Sequence, residues 1–553
     1  MKTRIPAAAL ALLIIICMAF MPGAAASDIY AGSGALGMPL AEAWVRTSSG
    51  ASPLGADEAY VRTGSGLVKL GSGEAAEPGA PPEHLEVSGA LELEYNKMRV
   101  ALYYYEGESS IRKPTLDYAN LENEVGSGYY LGYYDSGRDF VALASTDETR
   151  ITMVMDRTTS TPGGAVGCWH VLLPGAYESY EEAMTAASAY PGGFAGWYEG
   201  EFRALYGAYS GSGEAASALA AYGGESVYTA SEYCVTVTRT EDARILFEFD
   251  GGEELGLGVL PAGEDTRTWF KGNTYRGGFE YIRRTGERLT VINVVDIEDY
   301  VKGVLPYEMS EGWPAEALKA QAVCARTYAA AHFDGLPGYR ADVTNDTFSQ
   351  AYLGDTASGP GTDAAVEATE GLYLVYGGEP IDAMYCSSNG GATEDSENVM
   401  LSAVPYLRGK ADPYEAAAAD VNPYSSWTRS FSASELQSRL ASAGWRLSSV
   451  ASVEAALSES GNVIGLTLAS PEGYEVTLEK SVCYNFVTGT LGLNSIRFEV
   501  EPVSGGFAFT GSGWGHSLGM SQYGAYAMAL SYGFDFDQIL NFYFTDVELV
   551  RGE

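Results

Sequence analysis

Glu308 is the side chain in this sequence best placed for proton transfer. It follows Pro306 and sits between bulky Tyr307 and Met309, a few residues ahead of a helix. Partial desolvation there would lift its carboxyl pKa into the range useful to a proton donor. Lys319 and Arg326 stand seven residues apart, so two helical turns place both cations on one face. Two polar, glycine-rich stretches complete the set. Tyr385-Cys386-Ser387-Ser388-Asn389-Gly390-Gly391 follows an apolar run, and Gly511-Ser512-Gly513-Trp514-Gly515-His516 opens a turn that feeds a small-residue helix through Ser521, Gln522 and Tyr523. Such loops present backbone donors and polar tips to a ligand, which makes Tyr385, Ser387, His516, Ser521, Gln522 and Tyr523 candidate binding residues.

The elements that must hold these groups are legible around Glu308. Thr290-Val291-Ile292-Asn293-Val294-Val295 is a β-branched run and predicts a strand. Pro314 suits a first helical turn and Glu316 favours the same start, so a helix is predicted over Ala315 to His332. Leu318, Ala322, Ala325 and Ala329 recur at helical spacing and should face inward, their small size allowing close approach of a neighbour.

Taken in order, Pro306-Tyr307-Glu308-Met309, the stretch Ala317 to Ala329, the loop Tyr385 to Asn398 and the turn Gly511 to Ala525 resemble the catalytic domain of the stage II sporulation protein D (SpoIID/LytB) family. The resemblance covers more than half the chain, with a domain expected over 243–553. It implies a lytic transglycosylase that cuts the MurNAc–GlcNAc bond of peptidoglycan glycan strands, most simply strands denuded of stem peptides, with Glu308 as the catalytic acid. It also places Lys319 and Arg326 along the groove, where they would bind lactyl carboxylates. Asp296, Glu298, Asp299 and Glu311 leave hydrolysis open, because a second carboxylate at a set distance would direct water or form a covalent intermediate. Family members that hold zinc use His and Cys side chains near the loop at Tyr385, whereas this loop keeps Cys386 alone, and one thiol is not a tetrahedral site. No metal or other cofactor is expected there, and His516 reads as a hydrogen-bonding loop residue. Trp514 and Tyr523 could stack on sugar rings or pack in the core. Part of the family is known as amidase enhancers, so a non-catalytic wall-binding protein is the rival reading, with a cell-wall amidase or other sporulation proteins as partners.

The remainder of the chain reads as modules. Lys2 and Arg4 precede an apolar run from Ala7 to Phe20, with Ala24-Ala25-Ala26 before Ser27. This three-part layout predicts an export signal over 1–26, or an uncleaved anchor on the outer face of the membrane. Residues 27–87 are rich in Gly, Ser, Ala and Pro and predict a flexible segment; 88–160 carries β-rich runs. Sliding the chain on itself by 32 residues aligns Gly175-Ala176-Tyr177 with Gly207-Ala208-Tyr209, and each copy reads strand, turn, Ala-rich helix, strand. The pair, 166–237, resembles a SPOR domain, whose ligand is denuded glycan. Five cysteines remain beyond the leader, an odd number with no zinc-ribbon or redox spacing. They read as small buried hydrophobes, with Cys168–Cys234 as the one conceivable bridge. With 33 Lys plus Arg against 72 Asp plus Glu, the net charge of −39 excludes nucleic acid as a partner for the whole surface. The fold class expected is α+β and multidomain, in an exported cell-wall protein.

Overall fold

The computed structural model describes residues 79–107, 109–110, 112–284 and 288–552, together with four short strands nearer the N-terminus. The expected export segment, 1–26, lies outside the described residues, as does most of 27–78. Among the described residues no helix is long and apolar enough to cross a membrane. Two compact units are present, Met1–Glu77 and Pro78–Glu553. In the first, Ala43–Thr47 pairs antiparallel with Gly50–Leu54, and Tyr60–Thr63 with Gly66–Lys69. Composition predicted a flexible segment over 27–87, and these two short hairpin pairings fall within it.

The second unit combines sheets and helices, and helix at 24% with strand at 35% makes the chain α+β. A seven-stranded sheet runs in the order 343–344, 97–103, 289–296, 278–283, 257–261, 129–134, 140–146. A ten-stranded sheet runs 226–228, 169–172, 201–209, 193–198, 245–250, 235–239, 150–155, 118–123, 268–270, 273–275. One continuous apolar core joins both sheets to the helices behind the cleft. The divisions expected at 160 and 243 are not divisions of these sheets. Lys97–Tyr103 pairs with Leu289–Asp296, and Tyr129–Tyr134 with Leu257–Pro261. Likewise the expected flexible segment ends early: Val87–Leu91 pairs in parallel with the C-terminal strand Glu548–Gly552, and the Pro82 carbonyl accepts a bond from Gln538. Strand edges must find partners wherever the chain supplies them, and here they find them across the sequence.

The internal repeat holds in three dimensions. Helix α1 (Tyr180–Ala187) begins 32 residues before α2 (Ser212–Tyr222), since 212 − 180 = 32. Their four flanking strands lie in the order 226–228, 169–172, 201–209, 193–198, all antiparallel, which is the split β-α-β arrangement. Ala183, Ala187 and Ala218 pack against Val171, Ala195, Ala204 and Tyr206 on one face. The opposite face is covered as well: Phe194 and Leu205 pack on Val154, Val166, Ala243 and Ile245. The small sheet predicted from the repeat is thus part of a wider one. All five described cysteines are free, so Cys168 and Cys234 form no bridge, and all but Cys168 are buried.

Candidate active site

The strand Leu289–Asp296 delivers the chain to helix α3 (Ile297–Glu308), whose start is capped by the Asp296 carboxylate accepting the Glu298 N–H at 2.9 Å. Glu308 is the last residue of α3 and not a loop residue ahead of the next helix. The helix C-terminus carries partial negative charge, which disfavours a carboxylate at that end. Helix α4 (Ala315–Ala331) follows, ending one residue short of the sequence expectation.

Glu308 opens into a cleft of about 390 Å³ lined in part by Phe348, Gln350, Tyr385, Trp514, His516 and Gln522. Burial pushes its carboxyl pKa up, against the opposing pull of the Ala351 N–H and the Gln522 and Tyr385 side chains. The Ala351 N–H donates to Oε1 and the Gln522 amide to Oε2, each at 3.3 Å. Tyr385 is oriented in turn: Tyr300 donates its hydroxyl to Gln350 Oε1, and the Gln350 amide donates to the Tyr385 oxygen, both at 3.0 Å. With its oxygen already accepting, the Tyr385 proton is left for Glu308. Burial also drives the Tyr385 phenol well above its usual range, so it stays a donor.

The two glycine-rich loops meet at this cleft. Tyr385–Cys386 pairs in parallel with Met520–Ser521, and Ser388 exchanges backbone bonds with Trp514 at 2.8 and 3.2 Å. Gly515 is required here twice over. Its φ is +118°, and a Cβ would lie 2.8 Å from that of Cys386. His516 accepts the Leu518 N–H on Nδ1 at 3.0 Å, and burial lowers its ring pKa to about 4. Its ring accepts a bond that holds the loop, and it also lines the cleft. Behind the loops lies a buried polar knot. Glu415 accepts from the hydroxyls of Ser388 and Ser521 and from the N–H groups of Asn389 and Gly390. Asp412 accepts from Asn389 at 2.8 Å and from Tyr543 at 2.6 Å. Burial, with Asp412 adding to it, pushes Glu415 up to about 7.

Of the candidate residues, Glu308, Tyr385, Ser387, His516 and Gln522 line the cleft, and four others do not. Arg326 is fully buried, forked onto Glu298 at 2.7 and 2.6 Å and donating to the carbonyls of Leu372 and Val366. Helix α4 is buried on nearly every side, so its expected basic face does not exist. Lys319 pairs with Glu316 at 2.7 Å, while Glu316 also accepts the Phe536 N–H. Ser521 is buried, held by Glu415 and capping helix α5 (Gln522–Ser531). The Tyr523 ring packs 5.0 Å from that of Trp313. The four carboxylates that kept hydrolysis open also lie elsewhere. Asp296 caps α3, Glu298 holds Arg326, Asp299 is 3.7 Å from Arg276, and Glu311 accepts the N–H groups of Gly361 and Thr362. Among the described lining residues Glu308 is the one carboxylate.

Sequence reasoning missed the loop 347–351, which supplies Phe348, Gln350 and the Ala351 N–H. A short polar stretch distant from Glu308 carries no spacing signal of its own. Phe348 is 61% exposed at the cleft, and the Arg112 guanidinium lies 4.9 Å from its ring. Among the described residues, the groups of three side chains that could hold a metal are His84, Asp535 and Asp537, and Asp156, His170 and Glu248; neither includes Cys386.

Comparison with known proteins converges on the same segment. A family model described as stage II sporulation protein matches residues 285–376, which contain Glu308 and the loop 347–351. An uncharacterized protein of Brachyspira hyodysenteriae is 36% identical over 284 residues, covering 50% of this chain and 73% of that protein. Stage II sporulation protein D of Bacillus subtilis is 31% identical over 275 residues, 47% of this chain and 76% of its own length. An amidase enhancer of Bacillus subtilis is 32% identical over 289 residues, 45% of this chain and 40% of its own length.

Proposed function

The chain belongs to the stage II sporulation protein D family, and from that premise we propose that it is an exported lytic transglycosylase acting on the glycan strands of the cell wall. One observation carries the reading: a single carboxyl, Glu308, is raised in pKa by burial at the end of α3 and faces a cleft whose described lining holds no second carboxylate. Glu308 in its acid form gives its proton to the oxygen joining MurNAc to GlcNAc. The resulting carboxylate is held by Ala351, Gln522 and Tyr385, and takes the proton of the muramyl 6-hydroxyl as that oxygen closes on C1. The products are a free GlcNAc 4-hydroxyl and a 1,6-anhydroMurNAc end, with no water consumed. Donors that stabilise only the ionised state act after proton transfer, when the charge has formed. Trp514 and Phe348 offer apolar ring faces for sugars.

Denuded strands incubated with the pure protein should yield anhydroMurNAc ends by mass spectrometry, and Glu308→Gln should lower the rate by about 10²–10⁴-fold, the usual worth of a general acid. Reducing ends in place of anhydro ends would mean hydrolysis. The similarity to an amidase enhancer supports a second reading, a wall-binding partner of an amidase. It predicts strand binding without cleavage, and amidase stimulation that survives Glu308→Gln.

A further inference from the structure

Away from the cleft, three buried side chains in or next to the ten-stranded sheet converge. Asp156 follows the strand Arg150–Met155, His170 lies in Trp169–Leu172, and Glu248 in Ile245–Asp250. Their ligand atoms all lie within 4.8 Å of one another. The strands of His170 and Glu248 are three places apart in the sheet, a separation of about 14 Å if the sheet were flat. Yet His170 Nε2 is 3.0 Å from Glu248 Oε1, so the sheet curls to bring them together.

The ring's protonation is set from its other side. His170 Nδ1 is 2.6 Å from the Gly207 carbonyl, which can only accept, so Nδ1 carries a hydrogen. Nε2 then faces two carboxylates. A lone pair there would be repelled by two ionised carboxylates, so the cluster needs either a shared proton or a metal ion. Nε2 lies 3.0 Å from Glu248 Oε1 and within reach of the Asp156 carboxyl, so the same two carboxyl groups would hold either occupant. His170 Nε2 and Asp156 Oδ2 are both buried. The rest resembles the outer surroundings of a metal site: the imidazole is held through Nδ1 by a carbonyl, and Glu248 is fixed by the Tyr198 hydroxyl at 2.6 Å and the Thr236 hydroxyl at 3.3 Å. A cavity of about 520 Å³, lined partly by Tyr198, Tyr228 and Asp250, lies on the other side of Tyr198, the residue whose hydroxyl holds Glu248.

We propose that Asp156, His170 and Glu248 bind a divalent first-row metal ion, zinc by the nature of the ligands. One imidazole and two carboxylates suit zinc better than the harder magnesium or calcium. Burial among three strands makes it a structural ion that ties the sheet's curl, separate from the cleft and independent of the reaction proposed there.

The test uses the full chain, stripped with chelator, loaded with zinc chloride, desalted and measured for bound metal by emission spectrometry. About one equivalent is expected for the wild type. The same is expected for His84→Ala, which removes the other three-residue cluster. Asp156→Asn and His170→Gln should retain less than a tenth of that. Zinc-edge X-ray absorption on the wild type, which needs no variant to fold, should show nitrogen and oxygen at about 2.0–2.1 Å with imidazole scattering and no sulfur. A folded wild type that binds no zinc would identify the occupant as a proton and overturn the proposal. Zinc retained by both variants, or a sulfur-containing shell, would overturn it equally.

Discussion

At Glu308 two influences compete, and their balance sets the pH at which the cleft can work. Burial favours the acid and three donors favour the carboxylate, with burial dominant. Proton donation requires the acid, so activity should fall on a basic limb whose apparent pKa lies above the ordinary glutamate value of about 4.3. Removing one donor strengthens the dominant influence. Tyr385→Phe should therefore move that limb upward by about 1–2 pH units, since a hydrogen bond to a charged group is worth about 1.5–3 kcal/mol. A limb that stays in place or moves down would show that Tyr385 does not donate to Glu308. The same chain of donors makes Gln350 a positioning residue, because its amide fixes which way the Tyr385 proton points.

Helix α4 illustrates why a cation's sequence spacing did not reveal its role. Arg326 and Glu298 join α4 to the first turn of α3, and Glu298 also accepts the Gly371 N–H at 3.0 Å. Removing one partner of such a buried pair leaves the other charge stranded. Arg326→Ala should thus cost about 3–5 kcal/mol in denaturant unfolding, whereas Lys319→Ala, at a part-exposed i,i+3 pair, should cost under about 1 kcal/mol. A stably folded Arg326→Ala with weakened glycan binding would restore the groove assignment. The loops behind Trp514 depend on a different group. Glu415 has a folded pKa of about 7, above its unfolded value of about 4.3, so the folded state holds the proton more tightly. Its contribution is complete below the unfolded pKa and is lost as pH rises through about 7. Thermal melts should accordingly decline between about pH 5 and pH 8, and Glu415→Gln should flatten that decline.

On the scale of the whole second unit, the segment matched by the family model does not stand alone. The strand leading into α3 is flanked by Lys97–Tyr103, and the C-terminal strand by Val87–Leu91. A fragment covering 243–553 lacks both and exposes the edges they cover. It should fail to give a cooperative thermal transition, while a fragment covering 79–553 should melt as the full chain does. A well-folded, cooperative 243–553 fragment would show that the earlier strands are additions to a self-sufficient domain.

How much of this was legible beforehand follows the range of the interactions. The strand at 290–295, the helix from Ala315, the strand–helix repeat at an interval of 32 and the single carboxyl at 308 are local patterns, written in neighbouring residues by β-branching, capping and helical period. The cleft was half legible, because glycine-rich loops advertise themselves while the loop 347–351 does not. Burial is not local. Whether Arg326 faces glycan or Glu298, whether Ser521 meets a substrate or Glu415, and whether Asp156, His170 and Glu248 are strangers or neighbours depends on how the sheets curl and which edges pair. Those outcomes are set by contacts between residues tens to hundreds of positions apart, which composition and spacing leave open.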